Sequence, residues 1–212
     1  MTVFGTLDVP VDADARARAI LEFNSMSDRD MLSDPRNYSV DATMLDGIAI
    51  RIRAIRPDDQ ERLHEHFRGL SEKSVYFRFM GIRRDLSAQD LKRLTELDFK
   101  SHVGLVATLT ENGRERLIGV GRYICGADPH RAEVALAILD EFQGRGIGTL
   151  LLEHLSLIAD ANGVTEFEAD VLGENRRMLE VFAHSGFASG RSLDSGVVHL
   201  HSSTSKMLKK SF

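Results

Sequence analysis

The sequence predicts a mixed α/β fold, a sheet flanked by helices in one domain with an N-terminal arm, and three observations predict it. Strand-like runs with alternating apolar and polar residues recur from Gly47 onward. Amphipathic helical runs fall between them. Gln143-Gly144-Arg145-Gly146-Ile147-Gly148 links an apolar run ending at Leu139 to a helical pattern starting near Ile147. Its glycines let the main chain turn sharply and approach a ligand. At 212 residues and 42% hydrophobic, the chain can bury one sizeable core.

The elements follow in order. Residues 1–46 read as an acidic arm, in which Asp8, Asp12, Asp14, Glu22, Asp28, Asp30, Asp34, Asp41 and Asp46 outnumber the arginines. Asp12 is placed to cap a short helix running to Phe23, and Ser27 to Pro35 reads as loop. The main domain is expected over 47–212. Ile48, Ile50 and Ile52 alternate with Ala49, Arg51 and Arg53 as a strand. Pro57-Asp58 then opens a helix, followed by helical stretches at Ser74–Phe79 and Ser87–Leu97, the last with Ser87 as N-cap. Val103–Thr110 and Leu117–Ile124 are strands joined by Asn112-Gly113, the strongest hairpin signal in the chain. Arg131–Leu139 adds another strand. After the glycine loop, Leu151, Leu155, Ile158 and Ala159 form a helical stripe that Asn162-Gly163 terminates. Phe167–Val171 is a strand and Asn175–Ser185 a helix, and Phe187 with Val197–Leu200 suggests two final strands.

Charge and composition exclude several function classes. A formal charge of −5 gives no field that would gather nucleic acid. No basic run suggests a membrane-facing tail, no apolar stretch approaches about 18 residues, and the N-terminus lacks a basic-then-apolar signal, so a cytoplasmic protein is expected. The single cysteine, Cys125, has no partner for an internal disulfide. His64 and His66 point different ways on a helix, and His199 and His201 lack a nearby carboxylate or cysteine in sequence, so no metal is expected.

The glycine loop is the strongest functional signal. Free amides at the start of a helix favour an anion, so a phosphate-bearing ligand is its natural occupant. A nucleotide-hydrolase loop requires Lys then Ser or Thr after the last glycine, and here Thr149-Leu150 follows Gly148. A dinucleotide fingerprint requires its third glycine one position later, and Asp170 falls inside a strand rather than at its end.

A third pattern, Gln or Arg-x-x-Gly-x-Gly or Ala, is met at every position of 143–148. Here the chain resembles the GCN5-related N-acetyltransferase superfamily. The downstream order supports the resemblance: helix, strand, Gly173-Glu174-Asn175-Arg176-Arg177-Met178, helix, then His184-Ser185-Gly186-Phe187. Upstream, Ile52–Asp59, Leu70–Phe79 and Leu94–Asp98 look like the bacterial protein lysine acetyltransferases, including domains fused to acyl-CoA synthetase-like regions and the mycobacterial enzymes. Coverage runs from about residue 47 to the end. Relatives with a cyclic-nucleotide-binding domain carry it where this chain has only the arm, so that regulation does not carry over.

The resemblance implies a twisted, mostly antiparallel sheet and acetyl-CoA as acyl donor, with no metal. Backbone amides of Gln143, Gly144, Arg145, Gly146, Ile147 and Gly148 would hold the CoA pyrophosphate, and the Arg145 guanidinium would add charge or lie in solvent. Pantetheine would lie along Ala135, Leu136, Ala137 and Ile138, with Asn175 near it or serving as a helix cap. A lysine ammonium with pKa near ~10.4 must lose a proton before it attacks, and Glu133 is the candidate general base. A strand amide near Leu136 would face the developing oxyanion. Phe182 stands where many superfamily members place a tyrosine acid, a departure shared with the protein-acetylating subgroup and also with an inactive enzyme. Tyr76, Phe77 and Phe79 would line or back the acceptor groove. The implied partner is a protein presenting a lysine, with acyl-CoA synthetases as candidates. Acetylation of a small amine and a non-catalytic acetyl-CoA sensor are the alternatives, and monomer and homodimer both stay open.

Overall fold

The computed structural model describes residues 31–186 and 190–205. The arm helix expected from Asp12 to Phe23, and Phe187, lie outside them. Eight strands form one sheet in the order β1-β2-β3-β4-β5-β6-β8-β7. They are β1 (Ser39–Thr43), β2 (Ala49–Ala54), β3 (His102–Glu111), β4 (Arg114–Cys125), β5 (Arg131–Ile138), β6 (Glu166–Leu172), β7 (Gly190–Asp194) and β8 (Val197–Ser203). Every pairing is antiparallel except β5 with β6. The mixed, mostly antiparallel sheet expected of the chain is therefore present. The expected regular pattern began at Gly47, whereas β1 lies upstream of it, inside the acidic segment.

Three helices, α1 (Gln60–Gly69), α2 (Glu72–Phe79) and α3 (Ala88–Thr95), lie between β2 and β3, matching the three predicted helical stretches. Ser71 caps α2 by accepting from the Ser74 amide, and Ser87 and Asp90 form a capping box at α3. The crossover between β5 and β6 is α4 (Ile147–Ala161), and α5 (Arg176–His184) follows β6. No helix among the described residues is long and apolar enough to cross a membrane.

The β3–β4 ladder shifts register between Ala107 and Thr108, and the extra residue on β4 is Ile118. The Ile118 carbonyl accepts from the Leu139 amide at 3.0 Å, which anchors the chain as it leaves β5 for the glycine loop. One sheet face, carrying Ile52, Leu105, Gly121, Leu136 and Ile138, packs on α4, whose Leu151, Leu155 and Ile158 are fully buried. The other face carries Arg53, Val106, Arg122, Glu133, Ala135 and Ala137 and is covered partly by α1 to α3.

The charged face is closed by a buried ionic knot. The Arg53 guanidinium, 2% exposed, donates to both Asp59 oxygens at 2.7 and 2.8 Å and to Glu115 at 2.7 and 3.0 Å. Asp59 also accepts from the Arg56 amide and from Arg62, closing the turn of 3-10 helix at Pro57–Asp59. Burial by itself would raise the Asp59 pKa, but the hydrogen bonds and charge of Arg53 outweigh it and hold the carboxyl below its ordinary value.

Candidate active site

β5 and β6 pair at only three positions, from Arg131↔Glu166 to Glu133↔Glu168. Beyond Glu133, β5 keeps only β4 as neighbour, and β6 keeps only β8. The two strands part, and a cleft of about 1300 Å³ opens between them. Because the Leu139 amide points to β4, strand alternation turns the amides of Leu136 and Ile138 the other way, into the opening, while that of Val134 falls at the last paired step with β6. The side chains of Leu136 and Ile138 are buried on the α4 side, while Ala135 and Ala137 are half-buried on the open face. The segment from Ala135 to Ile138 thus offers a backbone edge that no strand pairs, bordered by small side chains, with the Ile138 carbonyl at its end taken by Gln143 Nε2.

At the head of the cleft the glycine loop turns into α4. Gly144 and Gly146 adopt φ of +77° and +86°, conformations that suit glycine, and Gly146 caps α4 without a side-chain hydrogen bond. The amides from Gly144 to Thr149 make no hydrogen bond among the described residues. Gly146, Ile147 and Gly148 line the cleft, and a Cβ on Gly148 would touch Val181 of α5 at 3.4 Å. Uncapped amides at the end of a 15-residue helix are an anion site by construction.

The side chains around this loop have other partners. Gln143 Nε2 donates to the Ile138 carbonyl at 3.1 Å and to Ser74 Oγ at 3.2 Å, while its Oε1 accepts from Arg177 at 2.9 Å. It braces β5, α2 and α5 together. Arg145 points away from the cleft, its guanidinium paired with Asp46 at 2.5 Å and lying over the Phe142 ring at 5.1 Å. Of the two readings of Arg145, added charge or solvated arginine, the structure shows neither. Asn175 lines the cleft and caps α5, its Oδ1 accepting from the Met178 amide at 3.3 Å.

Glu133 is exposed on the open strand face and lines the cleft where β5 and β6 part. Opposite it stands α2, held by Asp140, which accepts from the Ser71 amide at 2.9 Å, Ser71 Oγ at 2.8 Å and Ser74 Oγ at 2.9 Å. That tether presents Phe77, Arg78, Phe79 and Met80 to the cleft, whereas Tyr76 is exposed outside its lining. Burial pushes the Arg78 pKa down and the Glu133 charge opposes the shift, which places the two groups in electrostatic reach. Arg122, 4% exposed on the same sheet face, has a 3.4 Å contact to His102 Nε2 as its one side-chain polar partner among the described residues. Burial, then Arg78 and Arg93, lower its pKa. Burial and Arg122 lower His102 to about 4, so His102 is a neutral acceptor at pH 7. Two buried or half-buried cations that form no carboxylate ion pair among the described residues thus share the sheet face and cleft with Glu133, whose charge reaches Arg78. Neither was singled out from sequence, though a lone arginine inside an apolar strand, as in Gly119-Val120-Gly121-Arg122-Tyr123, is a readable anomaly.

Phe182 is 1% exposed and lines the cleft from α5. The histidines are taken up separately: His64 bonds Asp85 at 2.5 Å, His66 bonds the Leu117 carbonyl at 3.1 Å, and His199 and His201 face Asp170 and Glu166 at 2.6 and 3.2 Å. The carboxylates beside the last two come from β6, distant in sequence. Among the described residues no group of three or more His, Cys, Asp or Glu could hold a metal ion.

Comparison with known proteins bears on this arrangement directly. The family model for the Acetyltransferase (GNAT) family matches residues 72–187, more than half of the chain. A Pseudomonas aeruginosa acetyltransferase is 30% identical over 156 residues, covering 74% of this chain and 84% of that protein. The acetyltransferase Pat of Mycolicibacterium smegmatis is 34% identical over 148 residues, covering 69% of this chain and 43% of Pat, so the chain spans less than half of that relative. The crystal structure of the GNAT domain of S. lividans PAT superposes with a TM-score of 0.71 at 37% identity, covering 78% of this chain and 96% of that one. The splayed strands, the uncapped glycine loop and the matched residues make this chain a member of the GNAT acetyltransferase family, an acetyl-CoA-dependent N-acetyltransferase.

Proposed function

We propose that this protein transfers the acetyl group of acetyl-CoA directly to the side-chain amine of a lysine on a protein, with acyl-CoA synthetases as the candidate acceptors and Glu133 as general base. The observation that carries the reading is the position of Glu133: exposed, on the open face of β5, at the point where the strands part and in the same cleft as the free amides of the glycine loop. Similarity to Pat of M. smegmatis and to the S. lividans PAT domain supports a protein acceptor.

The residues fit a CoA thioester. The Gln143 amide is taken by the Asp140 carbonyl at 3.3 Å, so the amides of residues 144–148 are the ones that suit its pyrophosphate, and the edge from Ala135 to Ile138 suits the extended pantetheine arm. The donor supplies an acyl carbon bonded to a good leaving thiolate. Glu133 takes the first proton of the acceptor ammonium, directly or through a water, and the freed lone pair forms the C–N bond; as the tetrahedral adduct collapses the C–S bond breaks, and the second nitrogen proton leaves to water or to the departing thiolate. The Leu136 amide, turned into the opening, is the donor assigned to the oxyanion. No residue is needed to protonate the thiolate, which accounts for apolar Phe182 on the α5 wall.

Glu133→Gln tests the assignment. Expected is a fall in kcat of about 10²–10⁴-fold, the usual worth of a general base, with the dissociation constant of CoA unchanged by calorimetry. Equal turnover would remove Glu133 from the mechanism. Incubation of an acyl-CoA synthetase with acetyl-CoA and the protein, followed by mass spectrometry, tests the acceptor. Modification of free polyamines but of no protein lysine would replace the protein acceptor with a small amine.

A further inference from the structure

The turn between β1 and β2 reaches across to the glycine loop, 99 residues away along the chain. The turn closes through Met44 N to Ile48 O and Gly47 N to Met44 O, both at 2.9 Å, with Gly47 at φ +84°. From it three features meet the loop. The Leu45 amide donates to the Arg145 carbonyl at 3.1 Å. The Asp46 carboxylate accepts from Arg145 Nε at 2.6 Å and Nη2 at 2.5 Å. The Leu45 side chain, 47% exposed, forms part of the cleft wall.

Arg145 stands between Gly144 and Gly146, two residues whose left-handed conformation is held by no side chain of their own. Nothing comes within 4 Å of where a Cβ on Gly144 would lie, and the hydrogen bonds from the hairpin to the loop are made at Arg145. Those contacts fix both the backbone carbonyl and the guanidinium, with the Phe142 ring on the other side. They also engage the arginine's charge with Asp46, so that what the loop itself turns toward the cleft is its backbone amides.

We propose that Asp46 is a positioning residue for the acyl-donor site: by holding Arg145 it keeps the glycine loop in the conformation that aims its amides into the cleft before the donor arrives. The gain is preorganisation, since a loop already in its bound shape loses less freedom on binding. The inference rests on the reading of the loop as the site of the donor's phosphates. Leu45 adds an apolar contact at that same end of the cleft.

The experiment uses the full chain and steady-state kinetics with acetyl-CoA as the varied substrate. Asp46→Ala is expected to raise the KM for acetyl-CoA roughly three- to tenfold, the range that a partly exposed ion pair and one fixed carbonyl can sustain, with kcat at saturation within about twofold. Asp46→Glu restores most of the loss. Asp41→Ala, which breaks the exposed Asp41–Arg51 pair (3.0 Å) on the same hairpin, is expected to behave as wild type and controls for general damage to β1. Arg145→Ala combined with Asp46→Ala is expected to be no worse than either alone, as for two members of one contact. An unchanged KM overturns the proposal. A lowered KM overturns it too, because Arg145 released from Asp46 would then be serving the phosphates itself. Gly146→Val separates this from failure of the loop reading: if it leaves CoA binding intact by calorimetry, the phosphates bind elsewhere, whereas weak binding by Gly146→Val beside normal binding by Asp46→Ala overturns the role of Asp46 alone.

Discussion

The two faces of the sheet are packed by different physics. Against α4 the contact is apolar and close: a Cβ on Gly119 would lie 2.9 Å from the Ile147 side chain, and one on Gly121 3.1 Å from that of Leu155. Against α1 to α3 the sheet buries Arg53, Asp59, His66 and Arg122. The apolar face sets where α4 starts, and with it where the glycine loop opens into the cleft. The charged face carries Glu133. Under the proposed function, the rigid, repetitive half of the molecule would hold the acyl donor, while the half that must manage a proton is the one built of charges.

The comparison is broken most severely at the ionic knot. Asp59→Asn leaves Arg53 buried with half of its countercharge, and a loss of about 3–5 kcal/mol is expected, measured by urea denaturation. Because the Asp59 pKa is lowered in the folded state, this stabilisation is present above the unfolded carboxylate value near ~3.9 and is lost as pH falls through the folded one. The substituted protein should therefore converge with wild type in acid. Equal stability at pH 7 would mean that the knot is dispensable.

Next come two buried histidines, one on each side. Burial lowers His66 and His154 to about 4, and His154 Nδ1 lies 2.6 Å from Tyr38 Oη. As pH falls below about 6.5, the unfolded chain takes up protons that the folded chain refuses, so stability falls with pH until about 4, by up to about 3 kcal/mol for each histidine. Thermal unfolding between pH 7.5 and 5 reads the slope. NMR titration should show both imidazoles neutral at pH 5.5, and a protonated ring there would contradict the assignment.

The smallest effect is expected on the apolar face. Gly121→Val forces its Cβ against Leu136 and Leu155 at 2.9 and 3.1 Å, contacts made by mobile side-chain ends, so about 1–3 kcal/mol of overpacking strain is expected. The loss should be independent of pH between 5 and 8, a window in which the histidine effect already appears, and also in stronger acid, below about 3.9, where the Asp59→Asn loss shrinks. A pH-dependent loss would show that the two faces are coupled.

Legibility in the sequence follows the same division. The α4 stripe of Leu151, Leu155 and Ile158 and the glycine loop repeat at short, regular spacing, and both were readable. β1 was not, because its inward-facing residues are only Val40 and Ala42, set among Ser39, Asp41 and Thr43 on a sheet edge. Arg53 reads as the solvent side of an alternating strand, and its burial depends on Glu115, 62 residues later. Arg78 and Arg122 escape for the same reason, since forming no carboxylate ion pair among the described residues is a property of the fold. Glu133 was reached by resemblance, as alternation alone makes it an ordinary surface residue.

The short parallel zipper between β5 and β6 has a further consequence. Past Glu133 it leaves two strand edges with unpaired backbone groups inside the domain, the kind of edge that elsewhere recruits foreign chains into aggregates. An extended ligand laid along Ala135 to Ile138 would complete the sheet, and whatever binds the folded form alone stabilises it by mass action. Under the proposed placement of the acyl donor, the substrate would therefore also act as a folding ligand, its concentration raising the temperature at which the chain unfolds.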